Sequence, residues 1–165
     1  SAIGVMKAYC TRVGAGPFPT ELDNEIGEKM RTIGGEFGST TGRPRRCGWF
    51  DAVASKYSVM INGFSSINLT KLDVLDDFET IKIATKYIYE GKELETLPAS
   101  LDLLAKVEVV YEEMPGWKQD ISSARTLAEL PENARNYVKR LQELLGCPID
   151  FVGVGIGREQ MTIDL

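Results

Sequence analysis

The sequence contains no histidine. Histidine is the side chain that most often moves protons near neutral pH, so any catalysis by these residues needs other groups. Cysteine is scarce as well: Cys10, Cys47 and Cys147 are odd in number and far apart, with no CxxC or histidine spacing around them. That argues against a disulfide framework or a metal site and favours a reducing compartment, the cytoplasm. No apolar run is long enough to span a bilayer, and no charged N-terminal segment leads into an apolar stretch. A soluble chain without membrane contact is therefore expected. There is no phosphate-loop pattern GxxxxGK[ST], no internal repeat, no low-complexity tract and no linker. A basic surplus is missing too: 19 basic against 24 acidic residues give a net charge of −5, which weighs against sequence-independent nucleic-acid binding.

What is present fits a single mixed α/β unit. The 165 residues are 43% apolar and 26% charged, enough to bury a core. Ile3 to Tyr9 reads as a strand, followed by a loop broken by Gly14, Gly16, Pro17 and Pro19. Thr20 and Asp23 resemble a capping box for a first helix with Leu22, Ile26, Met30 and Ile33 on one face and Gly34-Gly35 as its stop. Asp51 is placed to cap a second helix ending at Asn62-Gly63. Strands are expected at Ile67–Leu72, Ile81–Tyr89, Val107–Tyr111, Ile149–Val154 and Gln160–Leu165. The clearest helix runs from Pro131 to Leu145, with an apolar stripe of Ala134, Tyr137, Val138, Leu141, Leu144 and Leu145, and Gly146 closes it.

Three segments carry chemistry. The loop Ser39-Thr40-Thr41-Gly42-Arg43-Pro44-Arg45-Arg46 combines hydroxyls, a flexible glycine and three guanidiniums, which suits carboxylate or phosphate. Composition alone does not separate this from a solvated basic loop with a surface ion pair. With like-charged guanidiniums lacking their anions, the loop is expected to be loosely held without ligand. The second segment, Lys71-Leu72-Asp73, sits where a strand ends, the place at which open α/β sheets bind ligands. A carboxylate there can accept from both guanine N1–H and the 2-amino group, an arrangement adenine does not offer. Taken alone, the tripeptide is better read as a turn cap at Asp73 and an exposed cation at Lys71. The third, Gly153-Val154-Gly155-Ile156-Gly157-Arg158, is not a dinucleotide fingerprint, because residues 158–165 leave no room for the helix and strand that pattern requires. It is either a glycine-rich strand end open to a ligand or a tight turn.

In order along the chain, Thr11-Arg12-Val13-Gly14, Gly16-Pro17-Phe18-Pro19-Thr20-Glu21, Thr40 to Trp49, Leu69-Thr70-Lys71-Leu72-Asp73-Val74-Leu75-Asp76, Met114-Pro115-Gly116-Trp117, Leu130-Pro131-Glu132-Asn133-Ala134 and Val152-Gly153-Val154-Gly155 resemble adenylosuccinate synthetases over nearly the entire length. The resemblance implies the C-terminal portion of a P-loop-NTPase-like nucleotide-binding enzyme, with residues 1–165 as its C-terminal domain. It implies GTP-dependent ligation of IMP and L-aspartate in purine biosynthesis, assisted by magnesium, in a homodimeric parent enzyme. Ser39, Thr40, Thr41, Gly42, Arg43, Pro44 and Arg45 match the loop that receives aspartate, with Arg43 also serving IMP and Arg45 reaching GTP. Val13 falls near the IMP ribose. Lys71, Leu72 and Asp73 match the guanine site, and Gly153, Val154 and Gly155 its second segment. Many bacterial members have serine at the position of Gly153, so a hydroxyl contact is lost here. The phosphate loop, the magnesium ligands and the catalytic aspartate and histidine belong to the family's N-terminal half, so no catalytic residue and no metal ligand is expected in this chain. The competing readings are a non-catalytic GTP-binding or interaction module and, more remotely, a nucleic-acid binder using the arginine loop.

Overall fold

A computed structural model describes residues 1–163. Among these, ten strands and four α-helices follow in chain order: β1 (Ile3–Lys7), β2 (Cys10–Arg12), α1 (Glu25–Ile33), β3 (Arg46–Gly48), β4 (Phe50–Asp51), α2 (Ala52–Asn62), β5 (Ser66–Thr70), β6 (Thr80–Tyr89), β7 (Lys92–Glu93), α3 (Leu101–Leu104), β8 (Glu108–Pro115), α4 (Glu132–Leu145), β9 (Ile149–Gly153) and β10 (Met161–Ile163). Short 3-10 turns occupy Leu72–Leu75 and Leu127–Glu129. Two compact units are assembled from interleaved segments: Ser1–Ala8, Ser55–Ile81 and the chain from Glu113 onward in the first, Tyr9–Ala54 and Lys82–Glu112 in the second. Because the chain passes repeatedly between them, no linker composition marks the division.

The first unit is built on the sheet β1-β5-β9-β10. β5 lies between two parallel neighbours, Val5 opposite Asn68 on one side and Leu69 opposite Val152 on the other, while β10 runs antiparallel to β9. Ile67, Leu69, Ile149 and Val152 are buried, as expected of central parallel strands. α4 carries Ala134, Tyr137, Val138, Leu141 and Leu145 into the core at helical spacing, with Gly146 in a left-handed cap and Leu144 half-buried.

The second unit holds the β2–β3 hairpin and a sheet in which β6 pairs with β4, β7 and β8. Its core includes Tyr9, Met30, Trp49, Phe50, Ile83 and Tyr87. α1 starts later than the sequence suggests. Its cap is Asn24, whose Oδ1 accepts from the Ile26 and Gly27 amides at 3.0 and 3.2 Å. Thr20 is instead drawn into the core, fully buried, with its carbonyl accepting from Trp49 N–H at 3.2 Å. Local sequence offers several capping side chains within a few residues, and tertiary burial selects among them. The second helix follows expectation, with Asp51 Oδ1 accepting from Ala54 N–H at 3.1 Å. The strand expected at Val107 extends to Pro115, and that expected at Ile67–Leu72 ends at Thr70. Residues 164–165 of the last expected strand lie outside the described residues.

Candidate nucleotide site and arginine loop

In the first unit, β5 ends at Thr70 and the backbone turns sharply. Lys71 adopts a left-handed conformation, φ 61° and ψ 36°, which is uncommon for a residue with a side chain. The turn Leu72–Leu75 follows, with Leu72, Val74 and Leu75 buried beneath it. Leu72 thus serves this turn as a core anchor and can offer a ligand only its backbone. Asp73 is half-buried, and its Oδ1 is fully enclosed without a hydrogen-bond partner. Burial raises its carboxyl above the ordinary range, an effect opposed by its own backbone N–H and the Lys71 ammonium. A buried carboxylate oxygen without a donor is costly unless something supplies one.

Beside this turn runs the end of β9. A Cβ built on Gly153 would lie 3.4 Å from Thr70 Cα and 3.5 Å from Lys71 N, so the two backbones are neighbours with space for a small side chain. Val154 is buried, and its N–H donates to Gln160 O at 2.9 Å; Gly157 N–H donates to Gln160 Oε1 at 2.8 Å. Gln160 therefore closes the glycine-rich segment into a turn. Lys71, Leu72 and Asp73 are brought together with Gly153, and the carboxyl ends of two parallel strands supply them.

The arginine loop lies in the second unit. Phe37 and Pro44 form a bridge, Gly38 N–H donates to Arg43 O and Gly42 N–H to Gly38 O, both at 2.8 Å, and Gly42 takes φ +65° at the tip. Ser39, Thr40, Thr41, Gly42, Arg43 and Pro44 are all exposed. The guanidiniums differ in state, which corrects the expectation that all three lack anions. Arg45 NH1 pairs with Glu36 Oε2 at 2.8 Å, and Glu36, wholly buried, also accepts from Tyr9 OH at 2.6 Å. Arg46 forms a two-pronged pair with Glu21, Nε to Oε1 at 2.7 Å and NH2 to Oε2 at 2.5 Å, which lowers the Glu21 carboxyl below its usual range. Its NH1 donates to the Gly14 and Gly16 carbonyls, fastening the loop that carries exposed Val13. Arg43 alone has no side-chain partner among the described residues, so it is the guanidinium free to take an external anion. The base of the loop is braced and its tip is open.

Sequence reasoning missed the carboxylates that brace these segments. Glu36 and Glu21 serve the arginines from 9 and 25 positions away. Asp76 accepts from Trp117 Nε1 at 2.6 Å and Ile121 N–H at 3.2 Å, and burial pushes its carboxyl up to about 6, those two bonds holding it back and Asp73 and Asp120 adding to the rise. The motif Met114-Pro115-Gly116-Trp117 was visible, but its partner was not. Asp51 accepts from the Tyr87 hydroxyl in the second unit, and burial raises both groups.

By fold this chain is of the mixed α/β class, with polar groups gathered at the carboxyl ends of parallel strands, where such sheets bind ligands. The family model described as adenylosuccinate synthetase matches residues 1–162. The chain belongs to the adenylosuccinate synthetase family. It is 64% identical over 158 residues to the adenylosuccinate synthetase of Trichlorobacter lovleyi and 62% identical over 161 residues to that of Geobacter sulfurreducens, covering 96% and 98% of this chain. It spans 37% of the length of each of these curated relatives. A solved structure, that of fully ligated adenylosuccinate synthetase from Plasmodium falciparum, superimposes with a TM-score of 0.96 at 44% identity, over 99% of this chain and 39% of that one.

Proposed function

We propose that this chain supplies the guanine site and the aspartate- and IMP-binding loop of a GTP-dependent ligase that forms adenylosuccinate from IMP and L-aspartate in AMP biosynthesis. The γ-phosphoryl group of GTP activates the 6-oxygen of IMP, and the amine of aspartate then displaces phosphate. Lys71, Leu72 and Asp73 with Gly153, Val154 and Gly155 form the guanine side. Ser39, Thr40, Thr41, Gly42, Arg43, Pro44 and Arg45 form the loop that receives aspartate, Arg43 serving IMP as well, Arg45 reaching GTP and Val13 lying toward the ribose. The observation that carries this reading is the half-buried Asp73 carboxylate just past the end of β5, whose Oδ1 has no hydrogen-bond partner among the described residues, because guanine N1–H and its 2-amino group are a matched pair of donors for such a carboxylate.

Arg45 keeps donors beyond the NH1 that holds Glu36, so bracing the loop and reaching a phosphate are compatible. Among the described residues no three His, Cys, Asp or Glu side chains converge to hold a metal ion. Magnesium, the phosphate loop and the catalytic base belong, in this proposal, to the N-terminal part of the family's sequence, and the complete enzyme is a cytoplasmic homodimer. No helix among the described residues is long and apolar enough to cross a membrane.

Titration calorimetry of the chain with GTP, ATP and RNA tests the guanine assignment. Heat from GTP well above that from ATP, with none from RNA, is the expected pattern. Equal binding of GTP and ATP overturns the guanine reading, and binding of RNA alone favours the nucleic-acid alternative.

A further inference from the structure

The Lys71–Asp73 turn is held at both ends by one circuit of contacts. At its start, Thr70 O accepts from Ala8 N–H at 2.8 Å, and Ala8 O accepts from the Tyr137 hydroxyl at 2.7 Å. The Tyr137 ring packs against Trp117, centroids 6.1 Å apart and planes inclined by 52°. Trp117 Nε1 donates to Asp76 Oδ1, and Asp76 N–H donates to Asp73 O at 3.1 Å, which returns the circuit to the turn. Ala8, Tyr137 and Trp117 are all buried, and every member lies within the first unit. Gly116, before the tryptophan, donates its N–H to Glu79 O at 2.7 Å and accepts from Asn133 Nδ2 at 2.8 Å. The indole is thereby fixed from its own backbone.

Two features argue that this circuit does more than add packing. Lys71 holds a left-handed backbone that persists only where the surroundings over-determine it. Asp76 remains a carboxylic residue although burial works against its charge, and both its oxygens are directed to groups of the 117–121 segment. A neutral or apolar residue at a half-buried site is ordinarily the more stable choice.

We propose that Asp76, Trp117 and Tyr137 are positioning residues that aim Asp73 at the base. The inference rests on Asp73 reading guanine as proposed above. Binding geometry within a fraction of an ångström depends on such supporting groups, and loosening them weakens the directed contacts before it disturbs the rest of the site.

The test uses the full-length ligase carrying this chain, with Trp117→Phe and Tyr137→Phe made separately. Each removes one hydrogen-bonding link and keeps an aromatic ring, so either variant decides the matter if the other is unstable. The readouts are kcat and KM for GTP, ITP and IMP, since inosine lacks the 2-amino group that Asp73 would accept from. KM for GTP should rise roughly threefold to tenfold, the loss of about one weakened hydrogen bond. The preference for GTP over ITP should shrink, while kcat at saturating GTP and KM for IMP hold. An unchanged GTP-to-ITP preference, whatever happens to thermal stability, overturns the proposal. Asp73→Asn, run in parallel, separates the two levels. If it shifts the preference from GTP toward XTP while the two aromatic variants do nothing, the positioning role fails and the guanine reading stands. If it also does nothing, both fail.

Discussion

At the residue scale, Asp73 makes the sharpest prediction. Asp73→Asn keeps the shape but replaces one acceptor by a donor, which faces the donors of guanine. One such mismatch costs on the order of 1–3 kcal/mol, so KM for GTP in the full-length ligase should rise about tenfold to a hundredfold. Xanthine carries a carbonyl in place of the 2-amino group, so relative use of XTP should increase and KM for IMP should change little. Steady-state kinetics with both nucleotides checks this. Two glycines should differ sharply in their tolerance of a side chain. A Cβ on Gly116 would sit 1.7 Å from Phe78 O, a rigid backbone atom, so Gly116→Ala should destabilise by about 3 kcal/mol or more. Gly153→Ser meets its nearest atom at 3.4 Å and should change stability by less than about 1 kcal/mol, matching the serine that the family resemblance puts there. Denaturant unfolding of both variants distinguishes them, and equal losses would contradict the geometry. The strand end beside Lys71-Leu72-Asp73 was legible in the sequence, though the strand stops at Thr70 rather than Leu72. The partners of Arg45, Arg46 and Trp117 were not, since nothing local marks a glutamate or aspartate that folding brings in from 9, 25 or 41 positions away.

At the scale of elements, periodicity served well wherever an element buries a continuous face. α4 and β6 lie within a residue or so of their expected limits because their stripes are long and cleanly bounded, α4 by Pro131 and Gly146, β6 by Glu90-Gly91. α1 was harder: only Gly27 and Met30 are buried on it, and Leu22 falls outside the helix altogether. Its cap yields a direct check. Asn24→Ala leaves the Ile26 and Gly27 amides without their acceptor and should cost about 1 kcal/mol, whereas Asp23→Ala should cost little. The 72–75 turn has its own signature in pH. The Asp76 carboxyl titrates near 6 in the fold against 3.8 ordinarily, so the folded state holds this proton more tightly than the unfolded chain. Its contribution to stability is therefore fully present below the ordinary value and is lost as pH rises through about 6. Asp76→Asn removes that titration. The stability of the wild type relative to Asp76→Asn should fall between pH of about 4 and about 7, and a constant difference would mean that the carboxyl is not perturbed by its burial.

At the scale of the molecule, two compact units each present one candidate surface: parallel strand ends with the half-buried Asp73 carboxylate in the first, and an open arginine loop on a braced base in the second. The chain spans 37% of the length of the curated relatives it matches, and the function proposed for it assigns the chemistry to residues outside it. In the proposed reading phosphoryl transfer, which depends mainly on positioning and electrostatic stabilisation of the phosphates, needs groups beyond these two surfaces. The most direct measurement follows adenylosuccinate formation from GTP, IMP and aspartate, first with the chain alone and then with it joined to the N-terminal part of the family's sequence. The account predicts no product from the chain alone and steady, GTP-dependent formation by the joined polypeptide. Product from the chain alone, or none from a folded joined polypeptide, would contradict it.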